Sequence, residues 1–171
     1  MKIDLEKFSS LYSARLLNDE DIPAVYALCI TNPYYYELCG TGITPGSVLD
    51  DMSLLPPGRS EEDKYYIGFY EEEGGSPVAV MDLISGYPRE DIAYIGFFMV
   101  DGNLSRQGIG SRIVNDICRF LEMSGFSAVR LSYMTANRPA AAFWQKNSFI
   151  TLRTAQHEIY GELTTAVRIL R

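Results

Sequence analysis

Two spacings of apolar residues alternate along the chain, one near 3.6 and one near 2. Ile109, Ile113, Val114, Ile117, Phe120 and Leu121 recur at helical spacing, and Gly125 supplies a stop. A second apolar stripe, Ile22, Val25, Leu28 and Cys29, follows Asn18 and Asp19, whose side chains are good N-cap acceptors. Short helices are predicted after Pro45 and over Pro139–Lys146, where Ala140, Phe143 and Trp144 are positioned for packing. Strands are predicted over Tyr12–Leu17, Tyr65–Tyr70, Val78–Ile84, Ile92–Val100 and Val129–Tyr133. Gly74-Gly75 and the region of Pro88 join the second to fourth of these as turns. A terminal hairpin runs Ile150–Tyr160, turns at Gly161-Glu162 and returns over Thr165–Leu170. Residues 92–100 carry no charge and read as a central strand buried on both faces.

The element order is β-α-α-β-β-β-α-β-α-β-β, an α/β layer fold with a mixed sheet. Leu54–Asp63, polar and broken by Pro56 and Pro57, reads as a surface loop, so a single domain is expected over residues 1–171. That length carries one full-sized core and is short for two.

Composition narrows the function. With 15 Lys+Arg against 22 Asp+Glu the net charge is −7, which argues against broad binding of a nucleic-acid backbone. No segment approaches the roughly 20 apolar residues of a membrane helix, and the N-terminal residues lack a signal-peptide core. Three cysteines (Cys29, Cys39, Cys118) without Cys-x-x-Cys spacing, and the single histidine His157, leave no disulfide scaffold or metal cluster. A reduced, cytoplasmic, metal-free protein is expected. Glu61-Glu62-Asp63 and Glu71-Glu72-Glu73 read as solvated turns, Cys118 as inert core and His157 as a half-exposed strand residue.

The chemistry concentrates where the central strand meets the amphipathic helix: Val100-Asp101-Gly102-Asn103-Leu104-Ser105-Arg106-Gln107-Gly108-Ile109-Gly110-Ser111. Glycines there let backbone N–H groups approach a ligand, and the unpaired first-turn donors attract an anion. Arg106 adds a positive charge, and a pyrophosphate is the natural guest. A P-loop is excluded, because no Gly-Lys pair occurs; a dinucleotide fingerprint fails at Ile113. By itself Gly108-x-Gly110 is equally compatible with a helix start that binds nothing.

The sequence Ser105-Arg106-Gln107-Gly108-Ile109-Gly110 resembles the acetyl-CoA signature of the GNAT acetyltransferase superfamily, Gln/Arg-x-x-Gly-x-Gly/Ala, and departs from it at the first position. Asn137 to Phe149 is similar to that family's Asn-x-x-Ala…Phe-Tyr…Gly-Phe element, with Trp144 for Tyr and Ser148 for Gly. The resemblance implies a mixed, mostly antiparallel central sheet flanked by helices, with strands splayed before and after the cofactor-loop helix. It implies acetyl-CoA as cofactor and an amine, on a small molecule or a peptide, as acceptor. It further implies that backbone groups of Met99 and Val100 pair with the pantetheine arm. Gln107, Gly108, Ile109, Gly110 and Ser111 would then donate N–H groups to the pyrophosphate beside Arg106. Asn137 would hydrogen-bond the cofactor, with Ala140 and Phe143 as its far wall.

The family's usual base and acid are both replaced, by Tyr94 and Trp144, and Trp has no transferable proton. Candidates to replace them are Tyr133, Tyr94 and Asp82, the last favoured as an exposed or edge carboxylate. The cluster Tyr34-Tyr35-Tyr36 either caps the acceptor cleft, holding an amine by cation–π contact, or packs on the sheet or a second subunit. A non-catalytic acyl-CoA-binding module is the alternative function. A monomer and a homodimer paired through the terminal hairpin are both compatible with the sequence.

Overall fold

The computed structural model describes residues 3–9, 11–71 and 75–170. The predicted turn at Gly74-Gly75 and the acidic run at Glu72-Glu73 fall at least partly outside these residues. Among the described residues seven strands form one sheet: β1 (Ser13–Leu16), β2 (Lys64–Tyr70), β3 (Ala79–Ile84), β4 (Ile92–Val100), β5 (Ala128–Met134), β6 (Ile150–His157) and β7 (Gly161–Ile169). Their order across the sheet is β1-β2-β3-β4-β5-β7-β6. Of these strands only β4 and β5 pair in parallel; every other neighbouring pair is antiparallel. The long crossover a parallel pair requires is supplied by helix α4 (Ile109–Met123).

Alternation along the strands divides the core between two faces. Tyr65, Ile67 and Phe69 of β2 join Met81, Leu83, Ile95 and Leu131 on one face, under α4 and α5 (Arg138–Lys146). Tyr66 and Tyr70 of β2 join Val80 and Met99 on the other, under α1 (Ile22–Cys29), α2 (Pro33–Cys39) and α3 (Pro45–Ser53). On α4, Ile113, Val114, Ile117 and Leu121 are buried while Arg112, Asn115, Arg119 and Glu122 face solvent. Each such apolar side chain contributes about 1.5–3 kcal/mol on burial, which makes α4 the main clamp on that face.

Three expectations need correction. The tyrosine cluster is helical: Asn32-Pro33 starts α2 and Gly40, at φ 67°, ends it. Pro at the first turn and Gly just past the end are the usual punctuation, but seven residues of mixed Tyr give no readable period. The terminal turn lies earlier than predicted, before Gly161, which already begins β7. Finally, β4 is not buried throughout; Gly96 is exposed, and Phe97, Phe98 and Val100 are only partly covered. That uncovered half forms the site.

Candidate active site

β4 pairs with β3 from Tyr94 to Val100 but with β5 only from Ile92 to Ile95. β5 continues to Met134 in the company of β7, so from Gly96 onward the two parallel strands part. The last half of β4 thus keeps an open edge. Asp101 N–H donates to Val78 O at 2.9 Å, on the β3 side, so the preceding Val100 carbonyl faces the gap. There it accepts a 3.0 Å hydrogen bond from Asn32 Nδ2.

The loop after β4 is held tightly at its root. Asp101 Oδ1 accepts from Asn103 N–H at 2.9 Å, closing a single helical turn over Gly102–Leu104. Gly102 N–H donates to Thr31 Oγ1 at 2.7 Å, and any Cβ at this position would collide with the Thr31 carbonyl oxygen. Two residues then adopt left-handed backbone, Arg106 at φ 64° and Gly108 at φ 79°. For Arg106 that conformation costs about 1–2 kcal/mol. Gly108 is the N-cap of α4 and offers no side-chain acceptor, so the first-turn N–H groups of α4 carry no cap.

The opposite wall comes from α5. Asn137 caps it, its Oδ1 accepting from Ala140 N–H at 3.1 Å. The Phe98 ring lies 6.1 Å from Phe143 and 6.0 Å from Trp144, and Trp144 continues to Phe149 at 5.1 Å. Asn147 Nδ2 donates to both Phe143 O, at 2.8 Å, and Ser111 Oγ, at 3.1 Å, tying the end of α5 to the first turn of α4.

Between these walls lies a cavity of about 740 Å³. Met99, Val100, Arg106, Gly108, Ile109, Gly110 and Ser111 line it from the β4–α4 side, and Asn137, Ala140 and Phe143 from the α5 side. Gln107 alone of the predicted cofactor residues does not line it and is exposed. A Cβ on Gly110 would stand 3.1 Å from the Phe143 ring and 3.2 Å from Val100 Cγ2. The cradle is therefore shaped by a missing side chain. An uncapped helix N-terminus, an adjacent arginine and a free strand edge match a ligand with a pyrophosphate at one end and an amide-bearing arm at the other.

The other expected residues divide. Tyr34 and Tyr35 line the cavity, Tyr35 with its ring 6.0 Å from Phe97. Tyr36 turns away and hydrogen-bonds Cys29; burial pushes its phenol well above the usual range, and the Cys29 thiol up to about 11. Tyr133 packs beside the main core and Tyr94 against Tyr87 at 5.4 Å; neither lines the cavity. Burial raises the Tyr94 phenol, partly offset by its hydrogen bond to Ser132. Asp82 is neither exposed nor on an edge: it is 9% exposed, on interior strand β3, and Lys64 Nζ donates to its Oδ2 at 2.8 Å. Its one-residue interruption of an apolar strand looks like an edge signal, and only the partner on β2 makes burial tolerable. His157 is exposed at the end of β6, its Nδ1 accepting from Ile159 N–H at 3.2 Å. Among the described residues no group of three His, Cys, Asp or Glu could hold a metal, and no helix is long and apolar enough to cross a membrane.

Sequence reasoning missed Thr31, Asn32 and Lys146, all in the cavity wall. Asn32 acts on the end of β4 and Thr31 on Gly102 just past it, and the local signal for both was the Asn32-Pro33 helix start. Nothing near Lys146 distinguishes it from any surface lysine.

The fold is shared with solved acetyltransferases. An acetyltransferase from Thermus thermophilus superposes with TM-score 0.73 at 22% identity, covering 93% of this chain and 97% of that one. An acetyltransferase from Salmonella typhimurium that modifies the N-terminal serine of a 50S ribosomal subunit protein gives 0.73 at 15% identity, covering 96% and 98%. The ribosomal-protein-S18-alanine N-acetyltransferase from Escherichia coli gives 0.65 at 14% identity, covering 93% and 94%. No curated protein matches the sequence. The acetyltransferase (GNAT) family description matches residues 33–149, a span that holds the β4–α4 junction and α5, and the chain belongs to that family of acyltransferases.

Proposed function

We propose that the protein transfers the acetyl group of acetyl-CoA to an amine, on a small molecule or at a peptide N-terminus. The observation that carries this reading is the meeting, in one cavity, of an unpaired strand edge and an uncapped helix N-terminus. The first-turn N–H groups of Ile109, Gly110 and Ser111 would hold the pyrophosphate, with Arg106 beside them. The free edge around Met99 and Val100 would take the pantetheine arm as an added strand, against a wall of Asn137, Ala140 and Phe143. Bound there, acetyl-CoA supplies an activated thioester carbon. Its thiol, with a pKa near 8.5, is a fair leaving group, so an acid such as Tyr133 would be helpful but dispensable. Tyr34 and Tyr35 stand at the cavity with ring faces suited to an ammonium group. Two of the similar structures are described as modifying ribosomal-protein residues, one of them an N-terminal serine, which supports a peptide amine as one arm of the test. A reducing cytoplasm suits the three free cysteines.

The test is an acyl-CoA-dependent screen of primary amines and short peptides with free N-termini, reading released thiol, beside the thermal shift given by acetyl-CoA. Thiol release with at least one amine and a raised midpoint are expected. No shift with any acyl-CoA overturns the reading, and a shift without transfer to any amine favours a non-catalytic acyl-CoA-binding module.

A further inference from the structure

β4 and β3 are out of step at one point: Asp82 faces Phe97 but Leu83 faces Ile95, which leaves Gly96 as an extra residue in β4. This bulge sits where β4 leaves β5, one residue beyond the last pair, Ile95 with Leu131. Bulges redirect a strand and re-aim the side chains around it. Here the extra residue has no side chain and is exposed. Behind it is the Asp82 carboxylate: a Cβ on Gly96 would stand 2.6 Å from Asp82 Oδ2. The glycine therefore lets Asp82 Oδ2 stand directly behind an exposed backbone position at the splay.

The carboxylate is half committed. Oδ2 accepts from Lys64 Nζ at 2.8 Å, and Lys64 also donates to Leu54 O at 2.8 Å. Oδ1 is buried and has no hydrogen-bond partner among the described residues. A buried, unpaired carboxylate oxygen is costly, and stability alone does not account for a pair that well-packed apolar residues would replace at no loss. Burial raises the pKa of Asp82, opposed by Lys64 and reinforced by Asp51 of α3. The other groups facing this pocket are neutral: Tyr66 of β2, Tyr35 of α2 and Cys29 of α1, with burial holding each of these phenols and the thiol well above neutrality. Lys64 and Asp51 are thus the charges that set the state of Asp82.

We propose that Asp82, through the Oδ2 that stands behind Gly96 and a water at that exposed position, takes the proton from the acceptor ammonium before acetyl transfer. The proposal rests on the acetyltransferase reading above. An N–H bond of the ammonium breaks, its proton passes through the water to Oδ2, and the nitrogen keeps the electron pair. That pair forms the C–N bond as the C–S bond opens; the nitrogen gives up its second proton, the thiolate takes one from solvent, and Asp82 returns its own to solvent. Lys64 is a positioning residue, holding Oδ2 in place behind Gly96.

The experiment is the pH dependence of kcat and kcat/KM for the best amine of the screen, in the wild type, Asp82→Asn and Gly96→Ala. In Asp82→Asn kcat should fall by about 10²–10⁴-fold at pH 7, the usual range for a lost general base. Its rate should then climb with pH toward the pKa of the free amine, while the acetyl-CoA thermal shift stays as in the wild type. Gly96→Ala keeps the carboxyl group but sets a methyl against Oδ2, where the water would stand, and kcat should fall with the KM for acetyl-CoA unchanged; it decides the matter if Asp82→Asn does not fold. An Asp82→Asn protein that binds acetyl-CoA and keeps the wild-type kcat and pH profile overturns the assignment, as does wild-type turnover in Gly96→Ala. Absence of turnover by the wild type with every amine overturns the acetyltransferase reading itself, and the role of Asp82 with it.

Discussion

The two halves of β4 are built from the same kind of residue and do opposite work. Ile92, Ala93, Tyr94 and Ile95 all pair with β5, Tyr94 and Ile95 with β3 as well, and the apolar side chains among them are buried. Gly96 is bulged out, Phe97, Phe98, Met99 and Val100 pair with β3 alone, and their second edge opens on the cavity. Composition does not separate them, since neither half carries a charge. What separates them is whether the neighbouring strand stays. A strand half that loses its neighbour must find partners for its backbone groups, and among the described residues the one side chain that answers is Asn32, on Val100 O. The remaining hydrogen-bonding capacity is what a ligand can use.

By that contrast, substitutions in the two halves should separate stability from ligand response. Leu131→Ala removes a fully buried side chain beside Ile95 and should cost about 2–5 kcal/mol, lowering Tm by about 2–4 °C for each kcal/mol. The rise in Tm on adding acetyl-CoA should survive; both are read in one thermal melt. Gly110→Trp attacks the open half, where even a Cβ meets Phe143 at 3.1 Å. It should abolish the acetyl-CoA response, a loss of about 2.7 kcal/mol of stabilisation at a ligand concentration about 100 times Kd. Isothermal titration checks this directly.

Asn32→Ala should have a smaller effect, about 1 kcal/mol of stability for a lost hydrogen bond to Val100 O, measured by denaturant unfolding. The sign of its effect on acetyl-CoA affinity reports whether Val100 O is needed free or held. The smallest effect concerns pH. Burial raises the Asp82 pKa above 3.8 in the folded state, so the folded chain binds more protons than the unfolded one between those two values. Stability should fall as pH rises through that window, and Asp82→Asn should remove this slope in a pH series of unfolding curves.

The sealed half was the easier to read from the sequence. Uncharged residues 92–100, the period of α4 and the Gly108-x-Gly110 junction predict a strand feeding a helix N-terminus, and the structure has that arrangement. The splay was implied only by family likeness, because pairing partners leave no trace in the period of one strand. Asp82 was misjudged for a similar reason. Its compensating charge, Lys64, is 18 residues upstream on a different strand, and only the register of β2 on β3 brings them together. Thr31 and Asn32 reach Gly102 and the end of β4 from about 70 residues away, through contacts no local pattern encodes. α2 escaped notice because Tyr side chains serve equally at buried and exposed positions, blurring the helical period.

The open edge of β4 is the centre of this account, and backbone hydrogen exchange of the protein with and without acetyl-CoA tests it most directly. Acetyl-CoA should slow exchange of amides in residues 96–100 and in the first turn of α4, Ile109–Ser111, while Ile92–Ile95 exchanges slowly in both states. Binding that leaves residues 96–100 unprotected, or protects only segments away from the β4–α4 junction, would contradict it.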